Sequence, residues 1–238
     1  MRFLVTRPQP DCRRTAEKIR AAGHHADEAP LLDFRAEPPV QFDLDGVAAL
    51  AFSSRRAVST LERHAQLRDL QDLPVFVVGD ATADACRKAG YRDVVSASGD
   101  VEALGHLILG SRDRLGPGDV LYPAAKERAG NLEGILAAGG LCCRVSVVYS
   151  MQEVTALPQS FNETLRSGGY DGVLVYSRRT ADVLLRLLRN QEPDHNFSSL
   201  RIYTISHRAA EPLSVYMRVE VADAPCEKAL LELALAEC

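Results

Sequence analysis

Two arginine pairs occupy the same local setting in different parts of the chain. Ala51-Phe-Ser-Ser-Arg-Arg-Ala-Val58 and Val175-Tyr-Ser-Arg-Arg-Thr-Ala181 each run from a short apolar stretch through Ser-Arg-Arg into a helix-period stripe. Arg55 and Arg56, and Arg178 and Arg179, are thereby set at the carboxyl end of a strand, where open α/β sheets bind their ligands. A guanidinium fork grips carboxylate or phosphate through two parallel hydrogen bonds. Solvated helix starts would account for either pair alone, because exposed arginine is common. Their repetition at a helix start, where cations are disfavoured, weighs against that, and an uncompensated pair in both copies suggests an anion between them.

Weaker candidates surround these. Gly79-Asp-Ala-Thr-Ala83 puts a glycine after a strand and Thr82 in a first helical turn, either a backbone nest for an anion or a packed turn. It lacks both the dinucleotide fingerprint and the GxxxxGK[ST] pattern, so NAD or ATP has no support. Lys126 and Arg128 follow the strand ending at Tyr122, in a loop where Glu127 offsets part of their charge. Tyr149 lies in an apolar connector, as a packing ring or as a proton donor in a cleft. The histidines form no catalytic set: His24 and His25 follow a helix stop, and His64, His106 and His195 read as surface residues. Only His207 falls in a turn of the kind that carries the other candidates.

These residues need elements to place them, and the elements repeat. Phe3-Leu-Val-Thr-Arg7 with Ala21-Ala-Gly23 matches Val120-Leu-Tyr-Pro123 with Ala137-Ala-Gly139. Val75-Phe-Val-Val-Gly-Asp-Ala-Thr-Ala83 matches Ile202-Tyr-Thr-Ile-Ser-His-Arg-Ala-Ala210. With the Ser-Arg-Arg units, three kinds of unit run twice in the same order. That order admits two sequential domains, or one discontinuous domain with another inserted. Leu31-Leu-Asp-Phe-Arg35 and Val147-Val-Tyr-Ser-Met151 are strand-like and lead directly into no helix, as expected of two connectors side by side.

Strands are expected at 3–5, 48–52, 75–78, 120–122, 172–176 and 202–205, short apolar runs suited to sheets covered on both faces. Helices alternate with them: Asp11 caps one with Cys12, Ala16 and Ile19 inward, and another presents Thr82, Ala85, Cys86 and Ala89. Asp100 caps Val101, Leu104, Leu107 and Ile108, Ser177 caps Ala181, Leu184, Leu185 and Leu188, and Asp223 with Pro225 starts a last helix burying Leu230 and Leu233. Alternation of this kind means parallel, doubly wound sheets.

Length and composition suit two such domains: 238 residues, 46% hydrophobic. A net charge of −4 argues against a general nucleic-acid surface, which requires many cations on one face. The cysteines, at 12, 86, 142, 143, 226 and 238, show neither CxxC nor Cys/His ligand spacing. They read as reduced thiols in a cytoplasmic protein, with no metal site. Met1-Arg-Phe-Leu-Val-Thr-Arg7 is too short in apolar residues for a signal peptide, and no run approaches a membrane span.

Taken in order, Thr6-Arg7-Pro8, Phe52-Ser-Ser-Arg-Arg-Ala-Val58, Val78-Gly-Asp-Ala-Thr-Ala83, Gly99-Asp-Val-Glu-Ala-Leu104, Leu132-Glu-Gly-Ile-Leu136 before Gly139, Val148-Tyr149 and Tyr176-Ser177 resemble uroporphyrinogen-III synthases. The ordered set carries the resemblance, over nearly the whole chain. It implies two doubly wound α/β domains joined by a two-stranded connector: a discontinuous one from 1–34 plus 154–238, an inserted one at 38–146, and connectors at about 31–38 and 147–153. It further implies an interdomain cleft for hydroxymethylbilane, a linear tetrapyrrole rich in carboxylates, cyclised with inversion of its last ring and without cofactor or metal.

On this resemblance Tyr149 is the proton donor to the departing hydroxyl. Arg7, Ser53, Ser54, Arg55, Arg56, Thr82, Lys126, Arg128, Ser177, Arg178, Arg179, Ser206 and Arg208 bind substrate. One turn departs from the family pattern: where Gly-Pro-Thr-Thr-Ala is common, this chain has Ser206-His-Arg-Ala-Ala210, so Ser206 or Arg208 takes over the lost hydroxyl donors. A monomer is expected, acting on a small molecule rather than on nucleic acid or membrane. A two-domain binding protein without catalysis would share the cleft but usually carries an export signal; a nucleotide-sugar transferase would need a diphosphate site that the chain lacks.

Overall fold

A computed structural model of the protein describes residues 1–128, 130–191, 197 and 200–236; His195 and Cys238 lie outside the described residues. In chain order the first elements are β1 (Arg2–Val5), α1 (Asp11–Ala21), β2 (His25–Glu28) and β3 (Leu32–Ala36). Then come β4 (Val47–Phe52), α2 (Arg55–Leu61), α3 (Leu67–Gln71), β5 (Val75–Val77), α4 (Asp80–Lys88), β6 (Val94–Ser96) and α5 (Val101–Gly110). β7 (Asp119–Ala125), α6 (Leu132–Ala138), β8 (Cys143–Glu153), α7 (Gln159–Arg166) and β9 (Gly172–Val175) follow. The chain continues through α8 (Arg178–Gln191), β10 (Arg201–Thr204), α9 (His207–Ala210), β11 (Arg218–Val221) and α10 (Glu227–Leu235).

The chain divides into two compact units, Met1–Phe34 with Gln152–Cys238, and Arg35–Met151. The first holds a parallel sheet in the order β11-β10-β9-β1-β2. The second is built on β8-β7-β4-β5-β6, also parallel. β3 closes that sheet against β8 in the opposite sense, with Glu37 N donating to Val148 O at one end and Val154 N to Leu31 O at the other. The boundary between the units cuts both β3 and β8. This is the α/β, doubly wound class expected from the alternation of strand and helix.

The central strands are apolar because both faces are covered: Val75-Phe-Val77 and Gly172-Val-Leu-Val175 are buried at every position. At Gly172 the absence of a side chain is a packing requirement. A Cβ there would come within 2.5 Å of the Tyr203 ring and 3.3 Å of Phe3, two rings that meet edge-on across it from β10 and β1. In the second unit Tyr122, Phe76 and Ala51 pack beneath Leu104, Ile108, Leu132 and Leu136 of α5 and α6.

Local details differ from expectation in several places. Asp11 is the first helical residue rather than the N-cap, which is Pro10; its carboxylate turns to Arg7 and Arg14. The last helix begins at Glu227, after Cys226 in extended backbone as its N-cap, and it buries Leu230 and Ala234, with Leu233 half-buried. On α8 the buried face includes Val183 and Leu187, with Leu185 only half-buried. Three strands were not expected, β2, β6 and β11, each at or next to a sheet edge where one side lacks a partner and polar residues are tolerated.

Candidate active-site rims

In each unit the strand order reverses once beside the first strand. The chain goes from β1 to β2 on one side and then to β9 on the other; likewise it goes from β4 to β5 and later to β7. The crevice outside the carboxyl ends at such a switch point is where doubly wound sheets take ligands. Arg7, Ser53 to Arg56, Lys126, Arg128 and Ser177 to Arg179 follow the strands that flank these two places; Thr82 follows β5, Ser206 and Arg208 follow β10, and Tyr149 lies within β8.

In the second unit Ser53 and Ser54 leave β4. Ser54 caps α2, its hydroxyl accepting the Arg56 amide at 3.1 Å, and this fixes the turn from which Arg55 and Arg56 extend, the first exposed and the second half-buried. Ser53 meets the Tyr122 hydroxyl at 2.5 Å across the switch point. After β7, Lys126 is exposed, and its amide donates to the Tyr149 carbonyl at 2.8 Å. Arg128 pairs with Glu133 at 2.6 Å, while Glu127 turns away to accept the Met151 amide. Tyr149 itself is buried, 6% exposed. It sits beside a register shift: Ala124 pairs with Val147 but Ala125 with Tyr149, so β8 carries one extra residue there. Bulges of this kind re-aim side chains next to active sites. Thr82 is a packed first-turn residue, its amide bonded to Gly79 O at 2.9 Å and its side chain buried, so this N–H serves the turn rather than a nest.

In the first unit Arg7 and the arginine pair are already balanced by carboxylates. Arg7 leaves β1, pairs with Glu227 at 2.7 Å and lies 4.3 Å over the Tyr176 ring. Arg178 pairs with Glu211, and Arg179 and Arg186 share Glu153. The two guanidiniums hold Glu153 below the usual carboxylate range, Arg186 contributing most. The expectation of an uncompensated arginine pair in each copy therefore fails here. The partners come from the turn after α9 and from β8, outside the local sequence of the Ser-Arg-Arg turn. Ser177 accepts the Thr180 amide as the cap of α8. Ser206 caps α9 by accepting from Ala209 at 3.3 Å, leaving Arg208 exposed on its first turn.

Glu227 accepts bonds from Arg7, Thr15 and Lys18. Burial pushes its carboxyl up, but Lys18, Thr15 and Arg7 outweigh this and leave it below its ordinary value. A depressed folded-state value stabilises above the unfolded one and is lost as pH falls through the folded value, because the unfolded chain then binds more protons. Glu227→Gln is expected to melt lower at neutral pH and to lose less on acidification below about pH 4.3, the free-carboxylate value. Thermal melts across that range check this; equal pH slopes for the two proteins would refute it.

Burial pushes the Cys12, Cys86 and Cys143 thiols up to about 12, which makes them poor nucleophiles. Tyr122 is the rim residue that sequence reasoning missed. It was read as the end of an apolar strand, and only the pairing of β7 with β4 brings it to Ser53.

A family model described as uroporphyrinogen-III synthase HemD matches residues 13–232. Among solved structures, the chain is similar to uroporphyrinogen-III synthetase from Helicobacter pylori, at 22% identity over 100% of both chains with a TM-score of 0.70. It is also similar to a mutant uroporphyrinogen III synthase from the extremely thermophilic bacterium Thermus thermophilus, at 16% identity over 100% of both chains with a TM-score of 0.57. At these identities the structural likeness is one of fold. No curated protein matches the chain.

Proposed function

We propose, for a chain that belongs to the uroporphyrinogen-III synthase family, that the rims at its two switch points divide the work of the family's reaction. That reaction cyclises hydroxymethylbilane to uroporphyrinogen III with inversion of ring D through a spiro intermediate. Loss of the terminal hydroxyl as water requires a proton on the departing oxygen and an electron pair from the pyrrole nitrogen. Tyr149 donates that proton as general acid. The substituted carbon of ring D then attacks the azafulvene, and the spiro ring formed fragments and recloses as the type III macrocycle. The pyrroles supply the electrons throughout, so the protein's further tasks are to hold the chain ends in geometry for spiro closure and to keep water from the cation.

Substrate carboxylates are held by Arg55, Arg56 and Lys126 on the second unit's rim and by Ser177, Ser206 and Arg208 on the first. Arg7, Arg178 and Arg179 serve there by positioning Glu227, Glu211 and Glu153. The observation that carries this reading is that hydroxyls and cations follow the carboxyl ends of β4 and β7 in one unit and of β9 and β10 in the other. The protein acts as a monomer in the cytoplasm, where unpaired thiols such as Cys142 and Cys226 persist. Among the described residues no helix is long and apolar enough to cross a membrane. Incubation with fresh hydroxymethylbilane followed by separation of product isomers is expected to give uroporphyrinogen III. Exclusive formation of the type I isomer, the product of unassisted closure, would refute the reading.

A further inference from the structure

Ser53 and Tyr122 face one another at the second unit's switch point, where β4 and β7 are neighbours. Their oxygens lie 2.5 Å apart, and the Tyr122 side chain is only 1% exposed while Ser53 is half-buried. We propose that Tyr122 is a positioning residue that turns the Ser53 hydroxyl proton outward, toward a carboxylate of the substrate, so that the pair works as one directed donor. This rests on the reading that the rim faces substrate.

The direction of the bond follows from acidity and burial. Each hydroxyl has one proton to give. The phenol, with an ordinary pKa of about 10, is the stronger acid of the two and donates. A phenol proton that did not donate to Ser53 would be left buried without its partner, which is costly. With its oxygen accepting from Tyr122, Ser53 holds its own proton on the far side, at the open rim. Ser54 beside it accepts from a backbone amide, that of Arg56, rather than from a phenol. Burial also raises the Tyr122 phenol above its ordinary value, against an opposing effect of Ser53, so it stays protonated at neutral pH. The nearby charges of Arg128 and Glu133 act on it in opposite senses and are paired with each other.

The couple is tested by steady-state kinetics on hydroxymethylbilane with Ser53→Ala, Ser53→Thr, Tyr122→Phe and the Ser53→Ala/Tyr122→Phe double variant. A donor that contacts the same carboxylate before and during reaction sets KM and leaves kcat unchanged. Ser53→Ala is expected to raise KM about 5- to 10-fold, the worth of one hydrogen bond, and Tyr122→Phe, which leaves the hydroxyl free to turn among three staggered positions, about 3-fold. The double variant is expected to lose no more than Ser53→Ala alone, because without the Ser53 hydroxyl Tyr122 has no proton left to direct. Ser53→Thr, which keeps the hydroxyl, should retain the wild-type KM. A merely structural tyrosine would lower the melting temperature of Tyr122→Phe and leave KM alone; that result, or losses that add in the double variant, would overturn the proposal. Wild-type protein that makes no type III isomer would instead refute the functional reading.

Discussion

Replacing Tyr149 by Phe is expected to slow single-turnover conversion of hydroxymethylbilane about 100-fold, with the residual product still mostly type III. General acid assistance is worth roughly 10²–10⁴-fold, and the lower end applies because the pyrrole nitrogen supplies most of the push. The ring stays, so packing at this buried position is kept. Three bonds also survive the change, since they use other atoms: Lys126 N to the Tyr149 carbonyl, Glu37 N to the Val148 carbonyl, and Ser150 Oγ to Glu37. The substrate therefore meets the same surface without the proton. Quenched-flow measurement with isomer separation reads both quantities, and an unchanged rate would remove Tyr149 from the chemistry.

The double replacement Arg55→Ala with Arg56→Ala is expected to raise KM about 10- to 100-fold. Hydrogen bonds to charged groups are worth about 1.5–3 kcal/mol each, and the lower end applies to side chains open to solvent. Because exposed charges act through screened solvent, the wild-type KM should rise with salt and the variant's should rise less. The same change at Arg178 and Arg179 has a different character. It strips partners from Glu211 and Glu153 and should lower thermal stability more than it alters salt dependence. A variant lacking Arg55 and Arg56 with a wild-type KM and salt profile would show that these two residues are solvated helix-start residues.

The contrast between the two arginine pairs shows what could be read from the sequence. The repeated turns, their place after buried strands and the helix caps at Asp100 and Ser177 depend on residues a few positions apart, and these were legible. The partners of the cations were not, because Arg7 meets Glu227 and Arg179 meets Glu153 only once distant segments have packed. Tyr122 has the same history: its apolar neighbours mark a strand, and nothing local says that Ser53 will stand opposite. β2 escaped notice because His25-Ala-Asp-Glu28 has no apolar run, as a strand at the sheet edge does not require one. The extra residue ahead of Tyr149 is a matter of register between β7 and β8, and registers leave no mark in a single strand.

The position of β1 between β2 and β9 has a consequence for how the protein is made. Residues 35–151 are synthesised as one uninterrupted stretch and contain nearly all the strands of their sheet, so that unit can fold while the ribosome is still at work. β1 and β2 emerge earlier but form only a two-stranded pair, too small to hold together in water. Their sheet can be completed only when β9, β10 and β11 arrive, after the whole inserted unit has passed. β1 and β2 are thus made before the inserted unit but complete their sheet only after it, and the apolar Phe3-Leu-Val5 stays exposed to chaperones and to aggregation throughout its synthesis.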